Sequence, residues 1–534
     1  MKIKFFLAKL LKSMEIDTVF SLPAYYITEL IGAMRKEKIN VVEFASEFSA
    51  ISAAYSYSIL SNKIGVVLVN TGPSFTNILT GLKTAEKENV PLLVLVGSQG
   101  GLYSNDESYF QVINIKEYVK EYFCVTKENL FRTKQHIESI KYKKVPVVMQ
   151  ISYELYETEM KHPVDIFNKM KSKKNNEDAE LYKNVMTFGK EISYKKKPLF
   201  LLGNGVDGSN IQELFEEANI PFISSLYAKK ILFQSKKYIG SVGILGDVIA
   251  NELLREADAL ICLGCRLSER TILNDLSILD NKDIYFINNG TYYCKYNLST
   301  EKLFEYFYEA ELFIKVYFQN LIDPNNFLWV YEKKELLQPS KVQRGFEEKK
   351  FTITEVIHFI HENILNPVIY CIDDGTYTLP ALKLCSDCQF IFPGTMAVGG
   401  FSLGAAIGAY FSNINYFPIV IIGDGGILSV LGELHTIKKY HIPVMIVVIN
   451  NRGYESIRQW YPESYTEMFF DINFKKIAEG FGLLYQLVVN LNDLKRVLLT
   501  AITDPIMVEI LVETEQIQCH FRETNERLEE VKTC

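Results

Sequence analysis

Short continuous apolar runs, closed by turn residues, recur along the whole chain. In the first third they are IGVVLVN (Ile64–Asn70) and VPLLVLVGS (Val90–Ser98). An apolar run without polar alternation, bounded by turn signals, is the pattern of a strand buried on both faces, as in a parallel sheet. Helix-like stretches separate the runs, so the pattern predicts an α/β protein with parallel sheets. Three blocks emerge, 1–160, 185–325 and 351–534. The second block carries KPLFLLG, ADALICLG and DIYFINN, and the third carries PVIYCIDD, QFIFPG, FPIVIIGD, IPVMIVVIN and DPIMVEILV. Polar, charged segments between the blocks read as linkers (161–184 and 331–350), and the first and third blocks share a coarse pattern. The opening segment MKIKFFLAKLLKSMEIDTVF has its apolar stretch cut by Lys9 and Lys12 and lacks a small-residue cleavage site. It reads as an amphipathic helix rather than a leader peptide.

Composition narrows the class. The chain has 534 residues, 48% hydrophobic and 23% charged, which fits a soluble globular protein of several domains. Its net charge of −7 argues against nucleic acid or an anionic membrane as partner. No apolar run reaches the roughly 20 residues of a membrane span. Nine cysteines in a chain read as having no leader point to a reducing cytoplasm. Two Cys-x-x-Cys pairs occur, Cys262/Cys265 and Cys385/Cys388, about 120 residues apart. That separation is far from zinc-module spacing, and Cys262 and Cys265 read as small hydrophobes where a buried strand enters a loop.

The chemistry concentrates near the C-terminal end, in IIGDGGILSVLGELHTIKKYHIPVMIVVINNRGY. In open parallel sheets ligands bind beyond the carboxyl ends of strands. Asp424 and Asn451 stand at two such ends, 27 residues apart. A carboxylate and a neutral amide oxygen suit Mg²⁺, which takes few protein ligands and shares its shell with phosphate and water. Gly425 and Gly426 leave backbone amides uncovered at the start of a predicted helix, ILSVLGELHTIKKY, which favours a phosphate. Gly-Asp-Gly alone reads as a tight turn capped by Asp424. Its pairing with a second strand ending in Asn-Asn favours a diphosphate with Mg²⁺.

From Gly423-Asp424-Gly425 to Asn450-Asn451 the chain resembles the thiamine-diphosphate enzymes, and NNRGYESIRQWYPESY resembles their acetohydroxyacid synthase (acetolactate synthase) branch. Further matching segments follow the family in order: MEIDTVFSLPAYYITELIGAM, ASEFSAISAAYSYSI, GVVLVNTGPSFTNILTGLKTA, ADALICLGCRLSERT and GGFSLGAAIGAYF. The resemblance spans nearly the whole chain. It implies three consecutive doubly wound parallel-sheet domains: pyrimidine-binding, central Rossmann-like and diphosphate-binding. It implies that Glu47 exchanges a proton with the cofactor's aminopyrimidine ring. Asp424, the Asn451 side chain and the Gly453 carbonyl are implied as Mg²⁺ ligands. Gly375, Thr376 and Tyr377 are implied to receive the diphosphate, with Gly423, Gly425, Gly426 and Tyr454 in the same contact set. A homodimer or homotetramer follows, with Glu47 of one chain facing Asp424 of another. The implied reaction is decarboxylation of a 2-keto acid. The acyl fragment then passes to a second carbonyl or, in a simple decarboxylase, to a proton. A catalytically silent cofactor-binding homologue is the reading from another class, and the glutamate at 47 speaks against it. The first block lacks the His-His pair of pyruvate decarboxylases, and Gln111 and Trp460 fall where the synthases line the acceptor pocket, so ligation is the leading expectation.

The chain departs from the family at the substrate side. The Gly-x-Pro-Gly-Gly turn is here SLPAYYI, with Ala24 and Tyr25 in place of glycines, which is expected to reshape the substrate pocket. The large apolar residue that bends the cofactor is replaced by Gly399, with Met396 and Val398 nearby. In the central block Gly203, Gly205 and Gly208 form a G-x-G-x-x-G after a strand. The next strand offers no acid for a ribose, so a structural turn is favoured, with FAD, which some relatives bind there without redox use, as the alternative.

Overall fold

In the computed structural model the described residues are 1–99, 113–160, 178–206, 208–226, 228, 232, 235–243, 246–268, 270–288, 303–306, 308–336, 352–364, 367–384, 389–412, 415–455, 472–499 and 503–512. They form three six-stranded sheets, each wholly parallel. The first holds β1 (Thr18–Ser21), β2 (Asn40–Glu43), β3 (Gly65–Asn70), β4 (Leu92–Ser98), β5 (Glu121–Val125) and β6 (Val147–Ser152). The second holds β7 (Pro198–Leu202), β8 (Phe222–Ser225), β9 (Tyr238–Val242), β10 (Ala259–Leu263), β11 (Asp283–Ile287) and β12 (Leu303–Tyr306). The third holds β13 (Val368–Ile372), β14 (Gln389–Ile391), β15 (Phe417–Gly423), β16 (Met445–Asn450), β17 (Leu484–Val488) and β18 (Ile506–Leu511). Every run read as a strand from its apolar continuity is one. The central strands β3, β4, β7, β10, β13 and β16 are buried at every position, because helices cover both faces.

The first sheet runs β2-β1-β3-β4-β6-β5 and the third β14-β13-β15-β16-β18-β17, the same order counted from each sheet's first strand. The shared pattern of the first and third blocks therefore reflects one topology used twice. The central sheet runs β12-β11-β10-β7-β8-β9, the Rossmann order. Each sheet has a point where neighbouring strands wind in opposite directions: between β1 and β3, between β7 and β10, and between β13 and β15.

The first and third sheets belong to one compact unit, and the central sheet forms a second. In the first unit, helices α1 (Ile3–Ser13), α2 (Thr28–Lys36), α3 (Glu47–Ser61), α4 (Pro73–Glu88) and α5 (Thr133–Lys143) cover the first sheet. The opening segment is the expected amphipathic helix, burying Phe6, Leu7, Leu10 and Leu11. The central unit begins with α6 (Asp178–Ser193), which starts inside the stretch read as linker. Leu181, Val185, Phe188 and Ile192 form its buried stripe at helical spacing, and charged residues between them masked that periodicity.

A single hydrophobic core joins the two sheets of the first unit. Its centre is the crossing of α3 with α7 (Phe401–Phe411). A Cβ on Gly404 would stand 2.6 Å from the Ser49 carbonyl oxygen and 2.9 Å from the Ser52 Cβ. A Cβ on Gly408 would run into the Ala53 carbonyl. Small residues on both helices thus permit backbone-to-backbone contact, and Tyr55 packs edge-on to Phe401 at 5.3 Å beside it. Gly408→Val is expected to lower unfolding stability by at least about 1–3 kcal/mol, the usual cost of overpacking, read as a lower urea midpoint.

Candidate active site

The third sheet places the Gly423-Asp424-Gly425 segment at its winding reversal. β13 and β15 are hydrogen-bonded neighbours, and both deliver loops at the same edge. After β15 the chain turns at Asp424 into α8 (Asp424–Leu428) and, after a break, α9 (Glu433–Lys439). One continuous helix was expected here. Instead Ser429 and Val430 donate to Gly426 and Ile427, three residues back, and Glu433 donates to Val430, tightening the chain into a turn.

Asp424 is 3% exposed. Its Oδ1 accepts the Gly425 N–H at 2.8 Å and its Oδ2 accepts the Gly453 N–H at 2.9 Å. The second bond ties the end of β15 to the loop after β16, where the Asn451 side-chain oxygen is shielded from solvent. Gly453 has φ +154° and follows Arg452 at φ +60°, a sharp reversal that glycine accommodates. Its carbonyl accepts the Glu455 N–H at 3.0 Å, leaving one lone pair for another partner. Tyr454 is 38% exposed at the edge of this loop. Asn450 serves as scaffold: its Oδ1 accepts the Arg452 N–H at 3.1 Å and its Nδ2 donates to Glu509 at 2.7 Å. Glu509 also accepts from the Tyr485 hydroxyl at 2.6 Å. A cavity of about 360 Å³ opens beside Asp424 at the ends of β16, β17 and β18, lined in part by Asn450, Arg452, Lys475 and Glu509. No cluster of three His, Cys, Asp or Glu side chains suited to a metal occurs among the described residues, so a cation here depends on mixed oxygen donors.

Across the reversal, the loop after β13 carries Gly375, Thr376 and Tyr377. The buried Tyr377 hydroxyl donates to the Asp374 carbonyl at 3.0 Å and accepts the Gly423 N–H at 2.9 Å. Its ring covers both glycines: a Cβ on Gly375 would come within 2.5 Å of it and one on Gly423 within 3.2 Å. Asp373, fully buried, accepts the N–H of Gly400 at 2.7 Å and of Ser402 at 3.2 Å, at the start of α7. A Cβ on Gly426 would stand 2.5 Å from the Asp373 carboxylate, so Gly426 keeps that space open.

Glu47 opens α3 at the carboxyl end of β2 and is 7% exposed. It is the first helical residue, where the helix dipole favours a carboxylate. Asn77 of α4 donates to its Oε2 at 3.1 Å. Ser46 caps the helix by accepting the Ser49 N–H at 3.2 Å. At the turn after β1, Ala24 is extended at φ −150°, so the loss of glycine strains nothing there. Tyr25 is 78% exposed and clusters with Tyr26 and Tyr153, at 5.4 and 6.1 Å between ring centroids. A Cβ at Gly399 would meet nothing within 4 Å, and Met396 and Val398 beside it are half-buried. Gln111 and Trp460 lie outside the described residues, as do Cys385 and Cys388.

In the central unit the glycine loop after β7 faces the loop after β10. Gly203 donates to the Leu263 carbonyl at 2.8 Å and Gly205 to the Gly264 carbonyl at 3.0 Å. Cβ atoms on Gly203 or Gly205 would collide with Gly264. These glycines serve close loop packing, with two of their amides already committed. Cys262 and Cys265 are buried in the core beside them.

Sequence reasoning missed Asn77, Asp373, Glu433 and Glu509. Each is a single polar residue in an ordinary helix, strand or loop, and only its partners mark it. Burial raises the Asp373 pKa from 3.8 to about 7. With the folded pKa raised, its contribution to stability is full below about pH 4 and is lost as pH rises through 7. Asp373→Asn is expected to flatten that decline, up to about 4 kcal/mol by linkage, as read from urea unfolding between pH 4 and 8.

Comparison with known proteins agrees with this frame. The family description "Thiamine pyrophosphate enzyme, N-terminal TPP binding domain" matches residues 1–118, the central domain 188–289 and the C-terminal TPP binding domain 373–510. An acetolactate synthase large subunit of Lactococcus lactis is 26% identical, covering 97% of this chain and 96% of that protein. An uncharacterized protein of Methanocaldococcus jannaschii is 28% identical over 87% of this chain and 88% of its own length. A probable acetolactate synthase large subunit of Methanococcus aeolicus is 26% identical over 95% and 91%. The three domain matches, in order, cover more than half of the chain, and each falls on one of its parallel sheets; the chain belongs to the thiamine pyrophosphate enzyme family.

Proposed function

We propose that this protein is a thiamine-diphosphate and Mg²⁺ dependent enzyme that decarboxylates a 2-keto acid and joins the acyl fragment to a second carbonyl, in the manner of an acetolactate synthase. The observation that carries the reading is the buried oxygen set at Asp424 and Asn451, tied together through Gly453, in a family frame that also keeps a buried acid at Glu47. The donor types fit a hard divalent cation. Asp424, Asn451 and the Gly453 carbonyl would hold Mg²⁺. Gly375, Thr376, Tyr377, Gly425, Gly426 and Tyr454 would meet the diphosphate, with Gly423 held against the Tyr377 ring. When bound, the cofactor supplies the electron sink that allows a 2-keto acid to lose carbon dioxide. Glu47 would hold and return a proton at the aminopyrimidine edge, its geometry fixed by Asn77 and by its place at the helix start. The second reading, a simple decarboxylase, differs only in delivering the acyl fragment to a proton.

The substrate is expected to differ from that of an ordinary acetolactate synthase. Tyr25, with Tyr26 and Tyr153, replaces a glycine turn by an aromatic cluster, and Gly399 leaves open space where relatives carry a large side chain. FAD has less support, because Gly203 and Gly205 spend their amides within the loop packing. The described residues contain no helix long and apolar enough to cross a membrane.

Carbon-13 NMR of products from labelled pyruvate and a panel of second keto acids and aldehydes tests the reaction. A new carbon–carbon bond is expected, and aldehyde as the sole product would select the simple decarboxylase. Glu47→Gln is expected to bind cofactor yet lose at least about 100-fold in turnover, the scale of acid–base groups. Asp424→Ala is expected to lose Mg²⁺-dependent cofactor affinity in a calorimetric titration. We further propose a homodimer, or a tetramer of such dimers, in which Glu47 and Asp424 of one active site come from different chains. Mixing Glu47→Gln with Asp424→Ala protein, with subunit exchange, is then expected to restore part of the activity, because each hybrid holds one intact site. No recovery despite verified hybrids would place both residues in one chain's site.

A further inference from the structure

The connection Glu43–Ser46 leads from β2 to α3 and ends one residue before Glu47. Helix α9 of the third sheet holds it along its length. Glu433 accepts the Ser46 N–H at 2.9 Å through Oε1 and the Ala45 N–H at 3.4 Å through Oε2. The Tyr440 hydroxyl accepts the Glu43 N–H at 2.8 Å. Gly432 approaches so closely that a Cβ on it would lie 2.9 Å from the Ala45 methyl. Thr436 donates to Glu433 Oε2 at 2.7 Å, which fixes the carboxylate. Glu433 is 1% exposed. A buried carboxylate is costly unless donors surround it, and two of these donors are the backbone that delivers Glu47. The Lys439–Glu43 ion pair at 2.6 Å lies partly in solvent and adds little by comparison.

We propose that Glu433 is a positioning residue for Glu47. Its carboxylate fixes the Ala45–Ser46 backbone, and with it the Ser46 cap, the start of α3 and the direction of the Glu47 carboxyl. The proposal rests on the reading of Glu47 as the proton-exchanging acid. The geometry favours it over plain interdomain adhesion. The backbone bonds fall on the two residues immediately before Glu47, Ser49 in the first turn of α3 adds a side-chain bond from just beyond it, and displacement of a reacting group by about 1 Å can cost about 100-fold. Glu433 is also only nine residues beyond Asp424, so one β-strand-to-helix segment would carry the metal end of one site and the brace of an acid.

The test uses the full-length protein and three measurements. These are amide hydrogen exchange of the cofactor-free protein over residues 43–49, calorimetric affinity for thiamine diphosphate with Mg²⁺, and deuterium exchange at the thiazolium C2 of bound cofactor. Burial raises the Glu433 pKa, so a neutral glutamine relieves a charge cost and is expected to fold. Glu433→Gln keeps one carbonyl acceptor and Glu433→Ala keeps none. Amide exchange near Ser46 is expected to rise in both variants with the rest of the chain unchanged. Cofactor affinity should stay within about twofold, and C2 exchange should slow at least about 10-fold, more for alanine than for glutamine. Unchanged C2 exchange in folded Glu433→Gln overturns the proposal, as does slowing that merely tracks loss of protection throughout the chain. If neither variant folds, Tyr440→Phe releases the same connection at Glu43. Slower C2 exchange there supports the proposal and an unchanged rate overturns it. Should Glu47→Gln itself leave C2 exchange intact, or the wild type bind no cofactor, the reading of Glu47 falls and takes this proposal with it. Dependence on Glu47 without dependence on Glu433 defeats the proposal alone.

Discussion

Backbone contact between α3 and α7 is the constraint on which the candidate site depends. Gly404 and Gly408 meet Ser49, Ser52 and Ala53 with no room for a methyl group. Dispersion between close-packed atoms is short-ranged, so such a crossing has one tight geometry. Both helices begin at positions of the candidate site. Glu47 is the first residue of α3, and the start of α7 supplies the Gly400 and Ser402 amides that hold Asp373. Asp373 in turn occupies the space left by Gly426, two residues after Asp424. The positions of Glu47 and of the loops after β13 and β15 therefore follow from a helix crossing that touches neither directly.

The fold was legible in sequence because strands buried on both faces need unbroken apolar runs, and turn residues must end them. The same continuity concealed details that depend on distant partners. The break between α8 and α9 arises from local three-residue hydrogen bonds that no periodicity announces. The start of α6 was hidden by charged residues on its outer face, although its buried stripe has helical spacing. In the site, Asp424, Asn451 and Glu47 were legible as candidates through motif and resemblance, since their types and spacing carry chemistry. Asn77, Asp373, Glu433 and Glu509 were not, because a lone polar residue gains meaning only from its contacts. The Glu433 bonds span nearly four hundred residues of chain.

The central unit shows a second use of the steric freedom that a glycine motif provides. G-x-G-x-x-G marks dinucleotide sites because glycines let a backbone approach a pyrophosphate. Here the close approach is made by another loop, at the reversal between β7 and β10. The steric requirement for glycine is identical in the two cases. What differs is whether the amides stay available, and in Gly203 and Gly205 they do not.

The two ends of the candidate site are built with different tolerance for change. On the side of Asp424 that faces the loop after β13, packing is tight, so a methyl added at Gly375 or Gly426 would strike Tyr377 or Asp373. At the turn after β1 Ala24 is extended and Tyr25, which opens a short 3-10 turn, is largely in solvent, so side-chain size there is free of such restraint. Gly399 likewise borders open space. The positions read in sequence as departures from the family, Ala24, Tyr25 and Gly399, thus lie where packing leaves room, and the crowded loops around Asp424 carry small residues. Tightly packed loops around Asp424 beside an open turn after β1 are the physical arrangement by which a fold can hold some positions fixed and leave others free to vary.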